Sequence, residues 1–302
     1  MDVRVGVHVS IAGGISNSIN NAKKIGCTAF QIFTRNPRGW AAKPLAPHEA
    51  QLFRNRLAAS GIEKNSVAAH MPYLPNLSGP DGEFYEKSVQ TLKEEIDRCK
   101  ALGIPYLVIH LGSHMGKGSE KGIDQLVNAI TSARSKCESE PEVLLENNAG
   151  QKNSIGSTFE ELRVILDMLG NPKNFGVCID TCHLFASGYD LRTKADVEVT
   201  FKKFKDIVGL KELKVVHLND SKGGLGSNLD RHEHIGLGSI GIEGIAAFLN
   251  LSETQALPII METPIDKRRG DEQNLKVALD IVRQYYSSYS GSVKLSSSTQ
   301  RS

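Results

Sequence analysis

The chain has 302 residues, of which 40% are hydrophobic and 23% charged, with a formal net charge of +2. This mixture belongs to a globular protein with a sizeable core and excludes a disordered chain, while a charge so close to balance neither requires nor forbids a polyanionic partner. No apolar run reaches the roughly 18 residues of a membrane span, so no membrane partner is expected.

The opening Met-Asp-Val-Arg-Val lacks the apolar stretch of a signal peptide, and five scattered cysteines form no disulfide framework. The expectation is a cytoplasmic protein, nucleoid-associated in a prokaryote and nuclear or mitochondrial in a eukaryote, with reduced thiols.

Short apolar, β-branched runs recur at 3–9, 28–33, 67–70, 106–110, 143–146, 176–180, 213–218 and 258–262, separated by longer stretches of helical character. They are nearly continuously hydrophobic, as parallel strands buried on both faces must be. Residues 84–102 place apolar side chains at helical spacing and stop at Gly103, before Pro105.

Eight such units predict an α/β chain folded as a (β/α)8 TIM barrel, a single domain over 1–286, with the active site at the C-terminal face of the strands. Counting alone leaves an open sheet as an alternative, but no G-x-G-x-x-G follows the first strand, which removes the main support for dinucleotide binding. Residues 287–302 hold eight serines among sixteen and read as a flexible tail.

Six of the eight strands end in a residue type that binds metal: His70, His110, Glu146, Asp180, His217 and Glu262. In a barrel those ends converge on one space. Three imidazoles and three carboxylates without a thiolate suit Zn²⁺ or Mn²⁺, and six donors are too many for one tetrahedral zinc, so at least two ions are expected.

A second set lies in loops on the same face. His183 follows Asp180 by three positions, and Asp230 and His232 stand two apart, which points both side chains to one side of an extended segment. Together they can hold another ion. His8 and His114 read as buried or supporting histidines, and Cys178 and Cys182 as small apolar filler. Arg38 with Trp40, and Tyr73 with Leu74, present large side chains on loops of the same face.

The motifs G-V-H-V-S-I-A-G-G, V-L-L-E-N-N-A-G, G-V-C-I-D-T-C-H-L-F-A-S-G-Y-D, H-L-N-D-S-K, D-R-H-E-H-I-G-L-G-S-I-G and I-M-E-T-P occur in this order. From about Val3 to Ile281 the chain thereby resembles the endonuclease IV family of abasic-site endonucleases. The resemblance implies a trinuclear zinc cluster on His70, His110, Glu146, Asp180, His183, His217, Asp230, His232 and Glu262, with manganese compatible at one position. Glu146, the candidate catalytic carboxylate, would bridge two ions beside Asp180, while His183, Asp230 and His232 would hold the third.

It further implies that Arg38, Tyr73 and Leu74 enter double-stranded DNA near an extrahelical abasic sugar. Met71, Pro72 and Pro75 are departures in that loop. The implied activity is hydrolysis 5′ to abasic sites, leaving a 3′-hydroxyl and a 5′-deoxyribose phosphate, together with removal of blocked 3′ ends, by a monomer. Lys117, Lys152 and Lys222 are candidate phosphate contacts. The rival readings are a metal-dependent sugar isomerase or epimerase on the same barrel, for which His183, Asp230 and His232 have no evident use, and a non-catalytic zinc or DNA-damage module, which the absence of cysteine ligands disfavours.

Overall fold

A computed structural model describes residues 3–134, 141–170 and 173–296, with 285–296 described by backbone alone. In chain order the elements are β1 (Val5–His8), α1 (Asn17–Ile25), β2 (Ala29–Phe33), α2 (Pro47–Ala58), β3 (Val67–His70), α3 (Glu83–Leu102), β4 (Tyr106–His110), α4 (Ser119–Ala133), β5 (Glu142–Glu146) and α5 (Phe159–Leu169). There follow β6 (Phe175–Asp180), α6 (Thr181–Ala186), α7 (Lys194–Ile207), β7 (Leu213–His217), β8 (Asp220–Ser221), β9 (His232–Glu233), α8 (Gly241–Leu249), β10 (Ile259–Met261) and α9 (Asp271–Ser296).

Eight parallel strands close in the order β1-β10-β7-β6-β5-β4-β3-β2, the TIM barrel expected from the alternation of strand and helix signals. Closure comes from β1, whose Val5 and Val7 pair with Ile259 and Met261 of β10. The short antiparallel ribbon of β8 and β9 lies outside the barrel and has no counterpart among the expected elements.

The helices start and stop for local reasons. Thr158 and Thr193 cap α5 and α7 by accepting from the N–H groups of Glu161 and Asp196. α3 ends at Gly103, which adopts the left-handed φ of 72° that a side chain would resist. α9 continues to Ser296, so its backbone carries helix past the boundary drawn from serine content; the rest of the expected tail, 297–302, lies outside the described residues.

Val5, Val7, Phe30, Ile32, Leu107 and Ile109 pack outward with the helices in one large core. Ala29, Ala68, Val108, Leu144, Cys178, Val215 and Ile260 form a second, separate cluster, one from each of seven barrel strands. This is the packed lumen beneath the site. Cys27, Cys99, Cys178 and Cys182 are free and buried, while Cys137 lies outside the described residues. Among the described residues no helix is long and apolar enough to cross a membrane.

Candidate metal centre

Side chains alternate along a strand, so the residue two positions after each lumen residue also faces the lumen, one layer nearer the C-terminal mouth. Applied to the seven apolar lumen residues, this rule gives Gln31, His70, His110, Glu146, Asp180, His217 and Glu262. Gly6, paired with Ala29, extends it to His8. All six strand-end donors therefore stand in one ring. Gln31 is a member the sequence reading missed, although a lone polar residue inside Ala-Phe-Gln-Ile-Phe was its signal.

The nine nominated residues fall into three groups whose donor atoms lie within 4.8 Å of one another: His70, His110 and Glu146; Glu146, Asp180, His217 and Glu262; and His183, Asp230 and His232. Glu146 belongs to two of them. Its Oε2 lies 3.1 Å from Nε2 of both His70 and His110, and its Oε1 lies 3.0 Å from Nδ1 of His217. In the third group His183 Nε2 is 3.2 Å from Asp230 Oδ1, and His232 Nε2 is 3.8 Å from that oxygen and 3.4 Å from Asp180 Oδ2.

A further set joins Cys182 to Asp180 and His232. Burial pushes the Cys182 thiol up to about 12, so it stays protonated at neutral pH and serves as filler.

The loop donors are held by local structure. Asp180 caps α6, accepting from the His183 N–H at 2.9 Å, which fixes the Asp180-to-His183 spacing. His183 Nδ1 lies 2.9 Å from the Asn147 carbonyl and His232 Nδ1 lies 3.0 Å from the Glu262 carbonyl, leaving both Nε2 atoms turned toward carboxylates. Asn219 donates to Asp180 Oδ2 at 2.7 Å and accepts from the Glu262 N–H at 2.8 Å. Gln31 donates to Glu262 Oε1 at 2.7 Å, and its own Oε1 lies 2.9 Å from His217 Nε2. His8, with Nδ1 3.3 Å from Glu262 Oε1, takes the supporting place expected of it.

Burial works to raise the Glu146 carboxyl, but His110 and His217 outweigh it and hold it well below the usual carboxylate range. Burial likewise opposes ionisation of Asp230, which His183 and His232 nonetheless bring down to about 2. Burial disfavours a charged His183, yet Asp180, Asp230 and Glu146 raise it to about 10. A carboxylate as deeply buried as Glu146 needs cationic partners. The buried Nε2 atoms of His183 and His232 have no hydrogen-bond partner, although carboxylate oxygens lie within 3.4 Å. Unpaired imidazole nitrogens converging with carboxylates fit zinc or manganese ions.

At the mouth, Tyr73 is 54% exposed, and its ring stands 5.0 Å from Phe33, 6.0 Å from His110 and 6.3 Å from His70. Its N–H donates to the Pro37 carbonyl at 3.2 Å, tying its loop to the one that carries exposed Arg38. Leu74 beside it is half-buried, and Trp40 packs edge-on against Phe84. Lys117, Lys152 and Lys222 are exposed. His114 builds a turn instead of binding a ligand: its Nδ1 accepts from the N–H groups of Gly116 and Gly118.

Residues 19–285 match the family described as xylose isomerase-like TIM barrel. The chain is 52% identical over 276 residues to a probable endonuclease 4 of Nitrosopumilus maritimus, covering 91% of this chain and 99% of that one. It is 54% identical to a probable endonuclease 4 of Cenarchaeum symbiosum, over 91% and 98% of the two chains. The crystal structure of endonuclease IV from Thermus thermophilus superposes with a TM-score of 0.83 at 37% identity, over 93% and 99%. A D-tagatose 3-epimerase-like protein, at 16% identity and a TM-score of 0.68, shares the fold.

Proposed function

The chain belongs to the endonuclease IV family, and on that premise we propose that it hydrolyses the DNA phosphodiester 5′ to abasic sites, leaving a 3′-hydroxyl and a 5′-deoxyribose phosphate, and that it clears blocked 3′ ends. It is a DNA-repair endonuclease, a phosphoric diester hydrolase. The observation that carries the finer reading is the sharing of Glu146 between two donor groups, with His183, Asp230 and His232 as a third group beside them.

In this reading His70, His110 and Glu146 would hold one zinc ion; Glu146, Asp180, His217 and Glu262 a second; and His183, Asp230 and His232 a third. Bound there, the ions would supply neutralisation of phosphoryl oxygens and a lowering of the pKa of water from about 16 to about 7. The chain's own part is preorganisation. Gln31, His8 and Asn219 orient Glu262, His217 and Asp180, while neighbouring histidines hold Glu146 and Glu262 in the ionised form. Tyr73 and Leu74 would fill the space an abasic nucleotide vacates, Arg38 would hold the backbone, and Lys117, Lys152 and Lys222 would meet flanking phosphates. The same constellation would act on 3′-blocking groups, because they present the same ester bond. The third group favours this over a sugar epimerase reading, in which loop donors beyond the ring have no task.

The test is incision of a duplex with one synthetic abasic site by purified protein, before and after chelation. Cleavage 5′ to the site that chelation removes and zinc restores is expected, and Glu146→Gln or His110→Ala should abolish it. A metal-loaded protein that leaves the duplex intact would overturn the proposal.

A further inference from the structure

Asp230 and His110 are the most exposed of the nine donors, with 37% and 36% of their side chains open to solvent, but His110 ends a barrel strand and Asp230 does not. Asp230 stands in the segment between β8 and β9. Its placement on His183 therefore depends on what pins that segment.

Two positions earlier, Asn228 adopts the left-handed φ of 54°, uncommon for a residue with a side chain. Its backbone N–H donates to the Ala186 carbonyl at 2.9 Å, and its Nδ2 donates to the Ala149 carbonyl at 3.1 Å and reaches the Ala186 carbonyl at 3.5 Å. Gly226 adds a bond from its N–H to the Phe185 carbonyl at 3.0 Å. Ala149 lies in the loop that leaves Glu146, and Ala186 closes the helix that carries His183. One amide thus ties the Asp230 segment to the helix that carries His183 and to the loop that carries Gln151. The space for it is specific, because a Cβ at Gly150 would stand 2.3 Å from Asn228 Nδ2.

We propose that Asn228 is a positioning residue: it binds no metal itself, and it holds Asp230 against His183 so that the His183, Asp230 and His232 group is complete. Gln151, whose Nε2 is 3.5 Å from Asp230 Oδ2, contributes at the limit of hydrogen-bond distance. This inference rests on the metal reading above. It makes the third group's hold on zinc dependent on a contact outside the donors.

The experiment uses the full chain reconstituted with zinc, challenged with a weak chelator, and reads zinc per chain over time. Asp230→Ala defines the behaviour of a missing donor. Asn228→Ala should lose one zinc about tenfold faster than the native chain and leave the others unchanged, the scale typical of outer contacts to metal ligands. Asn228→Gly, which accepts the left-handed backbone freely but lacks the amide, should also lose it faster. In the same variants kcat for incision should fall while KM for DNA holds. Because Asn228 is exposed, thermal unfolding should be little changed.

Native retention by Asn228→Ala would overturn the proposal, and native retention by Asn228→Gly alone would move the effect from the amide to the backbone and overturn the role given to Nδ2. A native chain that takes up no zinc removes the metal reading and this inference together, and that outcome appears before any variant is made.

Discussion

Nδ1 of His217 stands 3.0 Å from Oε1 of Glu146, although the residues are 71 positions apart and strand β6 lies between theirs. The orientation is set from the far side of the ring. Gln31 donates through Nε2 to Glu262, so its Oε1 is the atom that faces His217 Nε2, and that nitrogen must carry the proton. Nδ1 is thereby left to the shared carboxylate, and it is the nitrogen that would meet a metal ion once its own proton is displaced.

Gln31→Leu keeps the volume and removes both bonds. Zinc affinity of the Glu146, Asp180, His217 and Glu262 group should fall on the order of 10–100-fold, with kcat reduced at subsaturating zinc. Competition with a chromophoric chelator measures it, and unchanged affinity would mean that His217 needs no such support.

Zinc binding to the metal-free protein should release protons at pH 7. Burial disfavours the charged form of His183, but its carboxylate neighbours prevail and raise it to about 10, so the metal-free protein holds this imidazole protonated at pH 7. A metal needs the neutral ring. Because the pKa is raised, lowering the pH strengthens the competing proton and zinc affinity falls, while the release from this group fades as pH climbs through about 10. Calorimetry in two buffers of different ionisation heat should return about one proton or more per chain; a value of zero would separate His183 from the ions.

Tyr73→Ala and Arg38→Ala should weaken binding to abasic duplex by about 1–3 kcal/mol and by a smaller, salt-sensitive amount respectively. The Arg38 change should lower the slope of log Kd against log salt by about one. Filter binding at several salt concentrations resolves the two, and an Arg38 variant with an unaltered slope would take that side chain off the phosphate.

Gly6→Ala tests how closely β1 approaches β2. A Cβ there would fall 1.7 Å from the Ala29 carbonyl oxygen, so the strand pair that helps close the barrel must shift. Destabilisation of about 1–3 kcal/mol is expected, seen as a lower urea midpoint with unchanged m. A native midpoint would show that β1 moves freely.

Much of the centre was legible before folding was considered, because a barrel puts the end of every strand at one mouth and hydrophobic runs mark where strands end. Loop donors His183, Asp230 and His232 were weaker signals in the residues themselves and gained force only through the family motifs. Gln31 and Asn219 went unread. Gln31 sits inside its strand and not at its end, and neither is a usual metal-binding type. The β8–β9 ribbon escaped notice because two-residue strands have no periodicity to detect, and α9 outran a boundary drawn from composition.

The sequence by itself determined the alternation of strand and helix, the glycine stop at Gly103, and six donors at strand ends, since each follows from spacing within a few neighbouring residues. Only the tertiary structure decided that Glu146 serves two donor groups, that Gln31 spans 231 positions to reach Glu262, and that Asn228 ties down the Asp230 segment. Those relationships depend on the register between strands and on closure between β1 and β10, where hydrogen bonds join parts of the chain that no local pattern connects.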